Sequence, residues 1–205
     1  GMQFHKLDKA RDKNFWSVRV SRDIRLIVHK TASRLLLCFA GHHDRAYAWA
    51  ERRKLETHPT TGAAQLVEVV ETVQEVFVPV YVQEETPAPP KPALFADRPD
   101  DELLGYGVPP EWVDEVRKAD EDSLFELAEH LPAEAAEALL ELATGGKPRV
   151  ATPTPPTASP FDHPDALRRF RVMANVEELE RALEYPWEKW TVFLHPEQRQ
   201  WVERD

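Results

Sequence analysis

The chain has 205 residues, enough for one or two domains, with 42% apolar residues, 18 prolines against seven glycines, and a net charge of −10. No stretch reaches the roughly 18 consecutive apolar residues of a membrane span, no charged-then-apolar leader opens it, and a single cysteine, Cys38, rules out an internal disulfide. The expectations are therefore no membrane contact and a reducing cytoplasm. Charge is unevenly spread: residues 1–54 carry thirteen Lys/Arg against five Asp/Glu, a net +8 that leaves −18 for the remainder. Any contact with a polyanion is expected of this basic front.

In chain order, residues 15–21 alternate apolar and polar, which predicts a strand with one buried face. Residues 23–30 repeat the pattern, and 34–40 form a continuous apolar run suited to a strand covered on both faces. Thr31-Ala32-Ser33 is short enough to join the last two as an antiparallel hairpin. From Asp44 the period changes, and Ala46, Ala48 and Trp49 followed by Glu51-Arg52-Arg53-Lys54 predict an amphipathic closing helix. Residues 1–56 thus read as a small antiparallel sheet with one helix. His58-Pro59-Thr60-Thr61-Gly62 breaks the helix. Residues 57–85 form a connecting segment, with 63–75 open between helix and strand because valines occupy helically spaced positions, and 76–82 expected as strand.

Prolines 87, 89, 90 and 92 mark a semi-rigid linker over 86–99. Residues 100–146 read as an acidic helical domain. One helix opens at Pro109-Pro110 and carries Trp112 and Val116. A second is capped by Asp120 with Leu124, Phe125, Leu127 and Leu131 inside, and a third runs from Pro132 to Gly145-Gly146 with Ala135, Ala136, Leu139 and Leu140 inside. Fourteen acids here face only Arg117 and Lys118, so a phosphate-tracking surface is not expected. Residues 147–160 form a second, Pro/Thr-rich linker. The tail 161–205 reads as α/β: a short strand at 170–173, a helix from Val176 to Tyr185 capped by Asn175 with Leu179, Ala182 and Leu183 inward, and a last helix opening at Pro196. The fold class is therefore α+β.

Trp16-Ser17-Val18-Arg19-Val20, Ile24-Arg25-Leu26-Ile27-Val28 and Gly41-His42-His43-Asp44-Arg45-Ala46-Tyr47, in this order, resemble the RelE/ParE/YoeB toxin superfamily over about residues 4–54. Its active members cut mRNA on the ribosome without metal. The resemblance implies that Arg19 and Arg25 hold phosphate and that His42 or His43 and Tyr47 are acid/base candidates, since imidazole titrates near neutrality. The other cations of this segment, Arg45, Arg52 and Arg53, join Arg19 and Arg25 as expected nucleic-acid contacts. The superfamily normally begins with a strand and a helical hairpin of several dozen residues. Only about a dozen residues precede the first expected strand here, so that hairpin is missing and one sheet face is expected to lie uncovered, open to a protein partner or to self-association. A zinc site from His42, His43 and Cys38 lacks a fourth ligand, and no metal is expected.

Phe193-Leu194-His195-Pro196-Glu197-Gln198-Arg199-Gln200-Trp201-Val202-Glu203 resembles the segment that opens the motor of superfamily 1 helicases, in which the glutamine, here Gln198, reads the adenine edge of ATP with its paired amide donor and acceptor. Together with His58 to Gln65, Asp101 to Pro109 and Val176 to Leu194, the order of segments resembles the N-terminal extension of certain bacterial UvrD/Rep-like helicases across nearly the whole chain. The resemblance implies an accessory region of an ATP-dependent DNA helicase, with ATP and Mg belonging to the parent motor and no cofactor to these residues. A phosphate loop needs G-x-x-x-x-G-K-[S/T]. The one Gly-Lys pair, Gly146-Lys147, has Glu141 at the first glycine position and Pro148 after the lysine. The alternative implied by the toxin resemblance is a metal-independent endoribonuclease acting on mRNA.

Overall fold

The structure is a computed structural model that describes residues 2–70 and 91–184. It is α+β and divides into two compact units, residues 1–55 with 159–205 and residues 56–158. The expected strand over 76–82, the residues after Tyr185 and Gln198 lie outside the described residues.

The first unit is built on a five-stranded antiparallel sheet in the order β1 (Phe4–Lys6), β2 (Phe15–Arg19), β3 (Ile24–Lys30), β4 (Leu35–His42) and β7 (Arg171–Met173). β2 and β3 fall where the alternation predicts them, and β4 where the continuous apolar run does. β1 lies in the stretch expected to precede all strands, pairing Phe4 with Val18 and Lys6 with Trp16. The tail supplies a short helix, α6 (Pro164–Arg169), and then β7, whose Met173 lies opposite Leu35. Between β3 and β4, Thr31 N–H donates to the Arg34 carbonyl at 2.9 Å and closes the hairpin. A bulge shifts the register from Ile27–Phe39 to Val28–Leu37 and leaves Cys38 as the extra residue.

Alternation sends the two sets of side chains to opposite faces. One face carries Phe15, Ser17, Ile27 and Phe39 and receives α1 (His43–Glu51) through buried Ala46 and Ala50. Trp49 of α1 stacks on Phe39 at 5.0 Å and tilts against Phe15 at 5.9 Å. The helix stops short of its expected end: Arg52 caps it, and Arg53–Thr57 is strand β5. The other face carries Val18, Leu26, Val28, Leu35 and Leu37. It packs against Met173 and the fully buried Leu179 of α7 (Val176–Leu183), with Val176 and Leu183 at the margin. This corrects the expectation of an uncovered sheet face: α7 packs on it. α7 starts as its sequence predicts, with the Asn175 side chain accepting from Glu178 N–H at 2.8 Å while the Glu178 carboxylate accepts from Ala174 N–H at 2.7 Å.

The loop between β1 and β2 is pinned by one carboxylate. Asp12 accepts the N–H of Leu55 and of Asn14, each at 3.0 Å, and its Oδ2 lies 3.3 Å from His29 Nε2, with both side chains at or below 10% exposure. Burial pushes the Asp12 carboxyl up, but the hydrogen bonds from His29, Leu55 and Asn14 outweigh it and hold the group at about 2.

The division between units falls within β5, which pairs with β6 (Ala64–Glu68). Of the stretch left open between helix and strand, Ala64–Glu68 is strand and Val70 is helical. The second unit then runs through α2 (Asp100–Gly105), a 3-10 turn (Pro110–Trp112), α3 (Val113–Lys118), α4 (Leu124–His130) and α5 (Ala133–Ala143). Its core gathers Val67, Leu103, Val108, Trp112, Val116, Leu124 and Leu139 with Phe95, a residue of the expected first linker. The 147–160 segment has no regular structure, yet Thr154 N–H donates to the Thr61 carbonyl at 2.9 Å and Pro148 is buried. Two local expectations need correction. Asp120 accepts from the N–H groups of Asp122 and Ser123 in the turn before α4, and Ser123 occupies the cap position. Phe125 is 70% exposed, because Leu124, Leu127 and Leu131 define the inward stripe and Phe125 stands about 100° away from Leu124. Gly145, at φ +81°, and Gly146 end α5 by donating to Leu142 and Glu141, the paired bonds of a Schellman close.

A buried histidine organises the turn between β5 and β6. His58 Nδ1 accepts from the N–H groups of Thr60 and Thr61, and Nε2 donates to the Val108 carbonyl at 2.8 Å. Its own N–H and carbonyl bond Ala63 and Gly62, with Gly62 at φ +72°.

Asp12 gives the first test. Its folded pKa lies below the ordinary 3.8, so its stabilisation is present above about pH 4 and is lost as pH falls toward 2. Asp12→Asn is expected to cost about 1–2 kcal/mol at neutral pH and to flatten the loss of stability between pH 4 and pH 2, read by urea unfolding across that range.

Candidate functional site

The basic residues fall into two groups. Arg19 ends β2 and Arg25 lies opposite it on β3, so both guanidinium stems leave the same sheet face at the β2–β3 turn. Arg19 Nε donates to the Ser21 carbonyl at 3.1 Å, and Arg25 Nη1 donates to the Ser21 and Ile24 carbonyls, each at 3.0 Å. Backbone oxygens orient the two forks, and Arg22 stands exposed between them. The second group follows α1. Arg45 and Arg52 are exposed and seven positions apart, which puts them on one side of the helix. Arg53 is committed to packing: it donates to the Trp49 carbonyl at 3.2 Å and its guanidinium lies 5.0 Å from the Trp49 ring.

The acid/base candidates are only partly brought together. His43 opens α1, its N–H donating to the Asp23 carbonyl at 2.9 Å and its ring stacking on Tyr47 with centroids 4.4 Å apart. Its Nδ1 lies 2.9 Å from the Asp44 carboxylate. The Tyr47 hydroxyl and the Ser17 hydroxyl are 3.0 Å apart. His43 and Tyr47 line a cleft of about 530 Å³ between α1 and residues 6–10. His42, at the end of β4, is exposed and lies outside that lining. The cleft walls mix Lys9 with Asp8, Asp44 and Glu51, so a phosphate there would meet carboxylates as well as an ammonium group; the Lys6 ammonium lies over Trp16 on the other sheet face. Ser17 is the site residue that sequence reasoning gave no role. Its signal was a small hydroxyl between Phe15 and Arg19 on the inward row of β2, which the structure fully buries.

Cys38 contributes no thiolate chemistry. Burial pushes its thiol far above the ordinary range, and Sγ lies 3.7 Å from the Leu36 carbonyl. Among the described residues no three His, Cys, Asp or Glu side chains gather as a metal site. No helix among them is long and apolar enough to cross a membrane.

Charge pairing separates the two units. The first holds twenty Lys/Arg against fifteen Asp/Glu in its sequence, the second six against twenty-one. In the second, Lys91 pairs with Asp122, Arg98 with Glu102, Arg117 with Asp100 and Lys118 with Glu115. In the first, Arg19, Arg22, Arg25, Arg45 and Arg52 make no ion pair among the described residues.

No family model matches the chain, and neither a curated protein nor a solved structure matches it.

The Ser17–Tyr47 bond can be measured apart from any activity. Ser17→Ala and Tyr47→Phe are each expected to cost about 1 kcal/mol. The double variant should fall short of their sum by at least about 0.5 kcal/mol. Additive losses in denaturant unfolding would show that the hydroxyls do not interact.

Proposed function

We propose that this chain is the non-motor N-terminal region of a UvrD/Rep-like, ATP-dependent DNA helicase, and that its RelE-like basic unit docks nucleic acid near the motor in the cytoplasm. The observation that carries the docking role is the set of arginines without carboxylate partners among the described residues, Arg19, Arg22 and Arg25 at one turn and Arg45 and Arg52 along α1. Cations that satisfy the fold are normally matched by nearby acids, as they are in the second unit. Cations left to solvent at a shared edge suit phosphate, whose condensed counterions are released on binding. The helicase assignment is supported by the order of the resembling segments and by Gln198 near the C-terminus, where ATP and Mg would belong to a motor lying beyond these residues. Arg19→Glu with Arg25→Glu in the full chain is expected to weaken binding of a labelled DNA or RNA oligonucleotide at least about tenfold at low salt. Unchanged binding, with the fold intact by circular dichroism, would sink the docking role. The chain alone is expected to show no ATP hydrolysis with DNA present.

A second reading is favoured by one observation, the stacked His43–Tyr47 pair in a cleft beside Lys9. This is the metal-independent endoribonuclease. Imidazole and phenol could take and give the proton at the 2′-hydroxyl and the leaving 5′-oxygen. Three features argue for docking first: the carboxylates in the cleft, the exclusion of His42 from it, and the placement of Arg19 and Arg25 at the β2–β3 turn. Incubating the chain with ribosomes and mRNA in EDTA separates the readings. Intact mRNA is expected. Cleavage that a His43→Ala/Tyr47→Phe variant abolishes would reverse the preference.

A further inference from the structure

On the sheet face opposite α1, β1 and β2 carry two aromatic rings at the rim of the apolar core. Phe4 pairs with Val18 and Lys6 pairs with Trp16, so Phe4 and Trp16 are diagonal neighbours on the same face. Both are half-buried: their inner edges pack against the cluster of Val18, Leu26 and Leu179, and the rest of each ring remains accessible. Two ammonium groups stand over them. Lys30 Nζ lies 4.4 Å from the Phe4 ring centroid and 5.7 Å from that of Trp16, and Lys6 Nζ lies 5.9 Å from Trp16. Neither lysine makes an ion pair among the described residues.

We infer that Phe4, Trp16, Lys6 and Lys30 form a stacking platform for single-stranded nucleic acid. The inference rests on the docking role proposed above and narrows its substrate. Aromatic rings beside cations are what a single strand uses: bases lie on the rings while ammonium groups follow the phosphates. A duplex cannot use such rings, because its base faces are already stacked within the helix. Diagonal strand neighbours stand about 7–8 Å apart, a span that two bases of a flexible strand reach. The lysines now cover the rings, but their flexible stems let them move to phosphate when a base takes a ring face. Charge decides the occupant: two ammonium groups over the rings, without an ion pair among the described residues, select a polyanion with flat apolar parts.

The test measures binding of the full chain to a labelled oligothymidylate of about 15 nucleotides, within the span of common single-strand sites, and to a hairpin duplex of equal length. Trp16→Leu and Phe4→Leu keep apolar volume at the core rim while removing the ring. Each is expected to weaken single-strand binding at least about fivefold and to leave duplex binding unchanged. Lys30→Gln tests the cation separately, since it leaves the core untouched; it should weaken single-strand binding and make it less salt-dependent. Wild-type affinity in all three variants, or equal affinity for duplex and single strand, would overturn the platform. If those variants are silent while Arg19→Glu/Arg25→Glu abolishes binding, the platform falls and the docking role stands. If the wild-type chain binds neither oligonucleotide, both fall.

Discussion

A five-stranded sheet with hydrocarbon on both faces cannot stand in water unless both are covered, and that constraint shapes the first unit. α1 follows β4 directly and closes the face of Phe15, Ile27 and Phe39 with two alanines and Trp49. The face of Val18, Leu26 and Val28 is closed from the far end of the sequence, where β7 extends the sheet beside β4 and α7 sets Leu179 into the core. Full burial of such a leucine contributes about 2 kcal/mol, and without α7 several neighbours would lose their cover together. The 103 residues between the two parts fold as a unit of their own. The first unit is therefore discontinuous in sequence because its sheet has two apolar faces.

Polar ties do the fine positioning in both units. Asp12 collects two backbone N–H groups and His29 at one buried carboxylate, fixing the β1–β2 loop to β3 and to the start of β5. In the second unit His58 does the equivalent for a turn, using both ring nitrogens and its backbone. Gln65 adds bonds to the Gly107 carbonyl and the Glu134 carboxylate, each at 2.8 Å. A buried polar group is tolerated when its bonds are made, and these groups hold loops that apolar packing alone would leave free. Arg19, Arg22, Arg25, Arg45 and Arg52 of the first unit are the contrast. They are exposed or oriented by backbone carbonyls, and none makes an ion pair among the described residues.

Local pattern was legible in the sequence wherever a face was buried. Period-two alternation located β2 and β3, a continuous apolar run located β4, and capping chemistry located α7 and the end of α5. What could not be read depends on long-range pairing. A three-residue strand such as Phe4–Lys6 has no period of its own and exists through its partner β2. β7 was expected as a short strand, but nothing local says that it lies beside β4. Arg53–Thr57 read as helix because charged residues suit either state, and pairing with β6 decided it. Proline density suggested a linker through residue 99, while Phe95 inserts into a core. At the candidate site Arg19 and Arg25 were expected on two strands as phosphate contacts, and the register of the sheet sets them opposite each other. The Ser17–Tyr47 contact and the cleft could not be read, since they depend on how α1 crosses the sheet and where residues 6–10 run.

Arg19, Arg22, Arg25, Arg45 and Arg52, without ion pairs among the described residues, are proposed to meet phosphate. The most direct measurement is the slope of log affinity against log salt for the full chain and an unstructured oligonucleotide. Neutralisation of several phosphates predicts a straight line falling with a slope of about −3 or steeper, given roughly −0.7 per contact for a single strand. A slope near zero, or no binding at the lowest salt, would contradict it.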